Sequence, residues 1–128
     1  MSAYRAAHLD EIAAEQWPYW APIRHHLGIT TFGINAWRGV SGDEVIKRHE
    51  ESESASPELY VVMSGRATFT IGDDEVDAPA GTLVYITDPS VERVAFAQED
   101  GTVVLSVGAG PEGSFTHSGW DTGYLESA

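Results

Sequence analysis

Histidines and carboxylates are the side chains of this chain that are best suited to catalysis or metal binding. The chain has 128 residues, with five histidines, twenty acidic residues and no cysteine. Imidazole and carboxylate groups together suit divalent ions such as Mn, Fe or Zn. The absence of cysteine excludes disulfides, thiolate nucleophiles and cysteine-ligated clusters. The sequence also has no Gly-x-Ser-x-Gly elbow and no Gly-Lys-Ser/Thr phosphate loop. Nucleophilic catalysis and phosphate cradling by such a loop therefore have no support.

Four of the five histidines have ordinary interpretations. His25 and His26 are adjacent and precede a predicted strand, so at most one of them can face a cavity. A solvated or packing role fits both better than ligation. His8 and His117 lie in the terminal segments and carry no motif. His49 is the remaining candidate.

The net charge and the positions of the basic residues argue against two classes of binding partner. The formal net charge is −13, and the seven basic residues are scattered from Arg5 to Arg93 without forming a basic stripe. This distribution argues against nucleic acid and against an anionic membrane surface as partners. No apolar run approaches the roughly 20 residues of a membrane span, and the first residues do not resemble a signal peptide. We expect a soluble cytoplasmic protein.

Alternating hydrophobicity predicts the elements that must position these side chains. Ala67, Phe69 and Ile71 share one face of a half-buried strand, with polar residues between them. The expected strands are 31–37, 58–63, 66–71, 83–87, 91–97 and 102–107. Turn sequences such as Ser64-Gly65 separate them at roughly ten-residue spacing, which favours a sandwich or barrel. A short helical segment is expected over 9–16, ended by Pro18.

The run from 58 to 72, followed by Pro79-Ala80-Gly81 before the next strand, resembles the core of the cupin superfamily. The resemblance covers about residues 40–108. It implies an all-β fold, a jelly-roll barrel. We expect one domain over 1–128, with a barrel core at about 30–108 and segments 1–29 and 109–128 packed on it. Four bulky side chains are candidates to fill the barrel: Trp37, Phe69, Tyr85 and Phe96.

The resemblance also implies a ligand set. Cupins often hold a divalent metal with a His-x-His pair, a following glutamate and a third histidine in a second motif. His49 matches the first histidine, Glu51 replaces the second, and Glu58 matches the glutamate. The third histidine would fall near Glu92 or Arg93, and neither is a histidine. Two interpretations stay open: a His49, Glu51 and Glu58 site for Mn, Fe, Ni or Zn, or a degraded site without metal, which we favour.

Arg93 has two interpretations of its own. Inside the barrel it would pair a carboxylate such as Glu58 bidentately and repel a metal at the same place. On the surface it would balance Glu92. With Tyr60, which belongs to the strand that Glu58 opens, Arg93 and Glu58 are the residues we expect to contact a small molecule in the barrel.

Three functions follow as hypotheses. The first is a cupin that binds a small molecule without an intact metal site. The second is a metal-dependent enzyme of isomerase or dioxygenase type, in which the metal acts as a Lewis acid or oxygen activator. The third is a structural or interaction protein. A homodimer is expected from the aromatic residues of the N-terminal segment and from the habit of the family.

Overall fold

The computed structural model describes residues 3–12 and 19–108. Nine strands, one short helix and one 3₁₀ turn make up the described part of the chain. The elements are the 3₁₀ turn Leu9–Glu11, β1 Trp20–Ala21, α1 Ile23–Leu27, β2 Gly33–Gly39, β3 Glu44–His49, β4 Glu58–Ser64, β5 Arg66–Ile71, β6 Asp74–Pro79, β7 Leu83–Ile86, β8 Arg93–Ala97 and β9 Thr102–Gly108. Residues 13–16 of the expected helix, the tail from 109 and His117 lie outside the described residues.

The strands form two antiparallel sheets, which confirms the all-β barrel expected from the alternation. One sheet has the order β1-β2-β9-β4-β7, and the other has the order β3-β8-β5-β6. The β4–β5 hairpin turns at Gly65, whose positive φ of 72° favours glycine. Within the described residues, no helix is long and apolar enough to cross a membrane.

The core fills the space between the inner faces of the two sheets. Tyr60 of β4 and Phe69 of β5 are fully buried, and their ring centroids lie 5.5 Å apart. Trp37 packs against the same core from β2. The expectation that Tyr85 and Phe96 also fill the barrel is wrong, because both side chains are exposed on outer faces. Burial alternates along β7, where Tyr85 falls on an exposed position, and Phe96 is the one exposed residue of β8.

The region before β2 contains a helix that the sequence pattern did not indicate. Residues 23–27 form the helix α1, which ends at Gly28 in the left-handed conformation. His25 and His26 lie in this helix and not beside a strand. The ring of His25 packs edge-on against Trp20, with centroids 6.1 Å apart, and His26 is exposed. Among the described residues, neither histidine belongs to a group that could hold a metal ion.

Two strands that the alternation did not indicate lie at the edges of the smaller sheet. β3 and β6 each carry charged residues at three of their six positions. Edge strands commonly carry charges because one side of the strand faces water. β3 also has register shifts against β8 between Glu44 and Ile46 and between Ile46 and His49, which break the two-residue pattern.

Candidate functional site

Strand ends from both sheets meet at one end of the barrel. His49 is the last residue of β3 and is in register with Arg93, the first residue of β8. Glu58 is the first residue of β4 and projects to the same inner face as Tyr60 and Val62, which are both buried. Because consecutive residues of a strand alternate between faces, Glu58 and Tyr60 line one side of the barrel interior together. Glu51 joins them from the loop that follows β3. The fold thus gathers one cluster of charged and polar side chains: His49, Glu51, Glu58, Tyr60 and Arg93.

Glu58 is the centre of this cluster. Its Oε1 atom lies 3.1 Å from Nη1 of Arg93 and 3.7 Å from Nε2 of His49. The hydroxyl of Tyr60 donates a hydrogen bond to the same oxygen. Two hydrogen-bond donors and a nearby imidazole therefore converge on one carboxylate oxygen, which restricts the orientation of the side chain.

Arg93 lies inside the barrel, with a side chain that is completely buried. It reaches Glu58 through Nη1 alone, so the expected bidentate pairing is wrong. The other nitrogens are used by the loop before β8: Nε donates to the carbonyl of Val91 at 3.1 Å, and Nη2 contacts the carbonyl of Pro89 at 3.5 Å. Each of the three guanidinium nitrogens therefore contacts a different acceptor, and only one of these acceptors is a carboxylate oxygen. The surface interpretation, in which Arg93 balances Glu92, is excluded, since Glu92 pairs with Arg48 at 2.8 Å.

His49 has an oxygen acceptor at each ring nitrogen. Nδ1 lies 2.5 Å from the carbonyl of Lys47, and Nε2 lies 3.0 Å from Oε1 of Glu51. Burial lowers the pKa of His49, but the hydrogen bonds to Glu51, Glu58 and Lys47 outweigh it and raise the pKa from 6.5 to about 10. Both nitrogens can donate at once only in the imidazolium form, so the geometry suits a charged His49.

Glu51 is held by the loop that follows β3. Burial raises the pKa of Glu51, yet hydrogen bonds from His49 and from the hydroxyl of Ser54 lower it overall. The Ser54 hydroxyl lies 2.9 Å from Oε2, and the amide of Glu51 donates to the carbonyl of Pro89 at 2.7 Å. Pro89 thus connects Glu51 to Arg93, and the two loops hold each other in place.

Tyr60 stays protonated in this environment. Burial raises its pKa well above the usual value, and the negative charge of Glu58 raises it further. The neutral hydroxyl donates to Glu58 and also interacts with the guanidinium of Arg93. The Tyr60 side chain lies between the charged groups of the cluster and the apolar core.

The cluster offers ligand atoms for a metal ion. One atom each from His49, Glu51 and Glu58 lies within 4.8 Å of the others. The Nδ1 contact to a backbone carbonyl leaves Nε2 facing the acids, which is how ligating histidines are commonly oriented. The charges fit an ion less well, because the buried guanidinium of Arg93 and the hydroxyl of Tyr60 already contact Oε1 of Glu58.

Two polar residues of the inner face, Asn35 of β2 and Ser106 of β9, were not identified from the sequence. Asn35 and Trp37 alternate with Ile34 and Ala36, so they face the interior. Asn35 is in register with Ser106 of β9, and Ser106 is in register with Tyr60. A polar residue at an inward position of an alternating strand is the signal that identifies such a row. His8, by contrast, is exposed and accepts from the amide of Asp10 at 3.1 Å, away from the cluster.

Comparison with solved structures identifies the fold. A cupin protein from Bacteroides fragilis superposes with a TM-score of 0.71 at 18% identity, over 92% of this chain and 93% of that one. The plu4264 protein from Photorhabdus luminescens gives 0.65 at 18% identity, over 98% and 99%. A sugar phosphate isomerase from a cupin superfamily, from Silicibacter pomeroyi, gives 0.64 at 15% identity, over 81% and 74%. No protein-family model and no curated protein matches the chain.

These similarities show that the described residues have the barrel fold of cupin proteins, as the resemblance implied. At these identities they show the fold alone, and a shared barrel supports many chemistries. The activity must therefore be argued from the cluster itself.

Proposed function

We propose that this cupin barrel binds a small polar organic molecule at its open end without a bound metal ion. The observation that carries the proposal is the buried guanidinium of Arg93 on Oε1 of Glu58, at 3.1 Å. The chain supplies its own cation to the carboxylate that a metal would otherwise neutralise. The guanidinium neutralises this carboxylate, so the burial of Glu58 does not require an ion.

The charges of the cluster balance without an ion. Glu58 pairs with Arg93, and Glu51 pairs with His49, at 3.1 and 3.0 Å between charged atoms. A divalent ion would have to displace the proton of His49 and would then lie beside a fixed guanidinium. Both changes oppose binding, because like charges repel strongly where water is excluded.

Solvent access supports a binding role at this end of the barrel. The exposed fraction of the side chain falls from 34% at His49 to 24% at Glu51, 17% at Glu58 and 0% at Arg93. The cluster therefore opens to solvent on the side of His49 and is closed behind Glu58. A small molecule would meet His49 and Glu51 first, and Glu58 with Tyr60 at greater depth.

A metal-dependent enzyme is the second candidate. It is favoured by the three ligand atoms within 4.8 Å and by the orientation of His49 through the carbonyl of Lys47. One of the similar structures is described as a sugar phosphate isomerase. In this case His49, Glu51 and Glu58 would hold the ion, which would supply Lewis-acid or oxygen-activating chemistry.

A homodimer remains a proposal that is compatible with either function. The outer face of the larger sheet exposes the apolar side chains of Leu83, Tyr85 and Met63 on the neighbouring strands β7 and β4. Contiguous apolar patches on a soluble protein often mark contacts between subunits. A second copy that packs on this face would cover it without touching the cluster.

Metal analysis combined with ligand screening tests the proposal. The purified chain is assayed for Mn, Fe, Ni and Zn, and its melting temperature is recorded with each ion and with small acids, sugars and aromatic metabolites. We expect no stoichiometric metal and a raised melting temperature with at least one organic class. Stoichiometric metal that is lost in His49→Ala but kept in His26→Ala, an exposed histidine on α1, would establish the second candidate instead.

A further inference from the structure

The outer face of the larger sheet is hydrophobic on three neighbouring strands. Alternate residues of a strand point to opposite faces, so the residues between the buried ones form this outer face. All of them are hydrophobic: Leu59, Val61 and Met63 on β4, Leu83 and Tyr85 on β7, and Val103, Leu105 and Val107 on β9. The outward positions of β5 in the smaller sheet, by contrast, are Arg66, Thr68 and Thr70. Antiparallel sheets present polar residues on a face that meets water, so we expect other groups to cover the larger sheet.

The N-terminal part of the chain covers one half of this outer face. Ile12 and Ile23 of α1 pack with Ala36 of β2, which has no exposure to solvent. Arg38 on the same strand donates from Nη2 to the carbonyl of Ile12 at 3.0 Å. Residues 7–12 and α1 therefore close the half of the face that β2 and β9 form.

The half formed by β4 and β7 remains exposed among the described residues. Leu83 is 64% exposed, Tyr85 63% and Met63 52%. These three residues and their neighbours Leu59 and Val61 are called the β4–β7 patch below. The patch is contiguous, because Leu59 is in register with Tyr85 and Val61 with Leu83. It holds no charged side chain, so an occupant with hydrophobic side chains fits it.

The chain leaves the sheet beside this patch. β9 ends at Gly108, which is in register with Glu58, the first residue of β4. Residues 109–128 therefore begin about 5 Å from β4 and about 10 Å from β7, one and two strand spacings away. Twenty residues span about 60 Å when extended, which is enough to reach every part of the patch after a turn. Residues 110–113, Gly-Pro-Glu-Gly, are typical of such a turn.

The composition of residues 109–128 matches a hydrophobic surface. Phe115, Trp120 and Tyr124 are distributed along the segment, which has three acidic residues and no lysine or arginine. Burial of a large aromatic side chain removes more apolar area from water than burial of most other residues. Without a lysine or arginine, the segment has little to offer the carboxylates at the open end of the barrel. The β4–β7 patch is the surface that its side chains fit.

From these observations we infer that residues 109–128 cover the β4–β7 patch of their own chain through Phe115, Trp120 and Tyr124. The two terminal parts of the chain then share the outer face, one over β2 and β9 and the other over β4 and β7. A tethered segment meets the patch at an effective concentration of roughly millimolar order, which favours it over a second copy in dilute solution. The inference goes beyond the proposed function and holds whether the barrel binds an organic molecule or a metal ion.

Disulfide formation between engineered cysteines tests the contact, because the chain has no cysteine of its own. Leu83→Cys is combined in the full chain with Ser114→Cys, Ser118→Cys or Thr122→Cys, and each pair is oxidised in dilute solution. Val40→Cys, at a 54% exposed position between β2 and β3, replaces Leu83→Cys in the matched controls. We expect at least one Leu83 pair to form an intramolecular disulfide about tenfold faster than its control.

Thiol labelling of single-cysteine variants measures how well the patch is covered. Maleimide should label Leu83→Cys about tenfold more slowly than Val40→Cys, because a covered thiol reacts only when the segment lifts away. Adding Trp120→Ser should remove most of this difference, whereas Asp121→Ser at the neighbouring acid should preserve it. A constant labelling rate of Val40→Cys in all backgrounds shows that the fold persists.

Three results would overturn the inference. A covalent dimer formed by Leu83→Cys alone would place a second copy on the patch. Disulfides between Leu83→Cys and residues 109–128 that join two chains would show that the segment covers its partner and not its own chain. Equal rates for the patch and control cysteines in both experiments would show that residues 109–128 do not cover the patch.

Discussion

Arg93 and Glu58 form an ion pair at 3.1 Å in which the arginine side chain has no exposure to solvent. The two residues come from different sheets, β8 and β4, so the pair joins the two faces of the barrel. It also sets the character of the site, because a fixed cation occupies the carboxylate at its centre. Several testable consequences depend on this pair and on the groups around it.

Replacing Arg93 with Met removes the fixed cation. Glu58 is then left without its cationic partner near the closed side of the cluster, and we expect the free energy of unfolding to fall by about 3–5 kcal/mol. Urea denaturation measures this change. Arg66→Met removes an exposed ion pair with Asp77 and should have little effect. Adding Glu58→Gln to Arg93→Met should recover part of the loss; equal stabilities of the single and double variants would contradict the pairing.

Stability should depend on the protonation of His49. The pKa of His49 is raised from 6.5 to about 10, so its pairing stabilises the fold fully below pH 6.5, and this stabilisation is lost as the pH rises through about 10. His49→Gln should therefore be less stable than the wild type near pH 6, and the difference should shrink toward pH 10. Denaturation midpoints across this range give the measurement, with His26→Gln as an exposed control. An NMR titration in which the His49 ring deprotonates near pH 6.5 would refute the pairing with Glu51.

The Gly65 turn should tolerate no side chain. A Cβ atom at Gly65 would lie 2.6 Å from Cα of Thr102, which is backbone and cannot move aside. Gly101 has nearly the same φ, 75° against 72°, and a Cβ there would meet nothing within 4 Å. Gly101→Ala should cost only the conformational penalty of about 1–2 kcal/mol, and Gly65→Ala several kcal/mol more. Thermal denaturation compares them, and similar costs would show that contact with Thr102 does not matter.

The outer apolar face should control self-association if the chain dimerises there. Leu83 is 64% exposed, and its neighbour Tyr85 is 63% exposed on the same edge strand. Leu83→Lys places a charge on this face and should convert a dimer to a monomer in light scattering coupled to size exclusion. Val40→Lys changes another exposed apolar residue, 54% exposed and away from this face, and should leave the dimer intact. A wild type that is monomeric at micromolar concentration would contradict the proposal.

Much of the barrel could be predicted because burial imposes a two-residue period on half-buried strands. The period matches β5 at both ends, Arg66 and Ile71. It fails for β3, where charges at a sheet edge and two register shifts obscure the alternation. It also fails to orient Phe96, because the strand from 91 to 97 is apolar on both faces and a single strand does not show which face its neighbours cover.

Some of the site residues could be predicted from the sequence, because they occupy positions of the cupin-like motif. His49, Glu51, Glu58 and Arg93 are gathered as the resemblance implied, and the geometry adds which oxygen each cation contacts. The row from Asn35 to Ser106 was not found, because it depends on the register between β2 and β9, which are far apart in the sequence. The hydrophobic pattern of one strand does not show which residues of a distant strand pair with it.

The metal content of the purified chain is the most direct measurement of the central claim, a metal-free site with Arg93 as its fixed cation. The chain is isolated without chelators, incubated with Mn, Fe, Ni and Zn in turn, desalted and analysed by mass spectrometry. We predict substoichiometric metal for every ion, at the same level in the wild type and in His49→Ala. Stoichiometric metal in the wild type that disappears in His49→Ala, with His26→Ala unchanged, would contradict the claim.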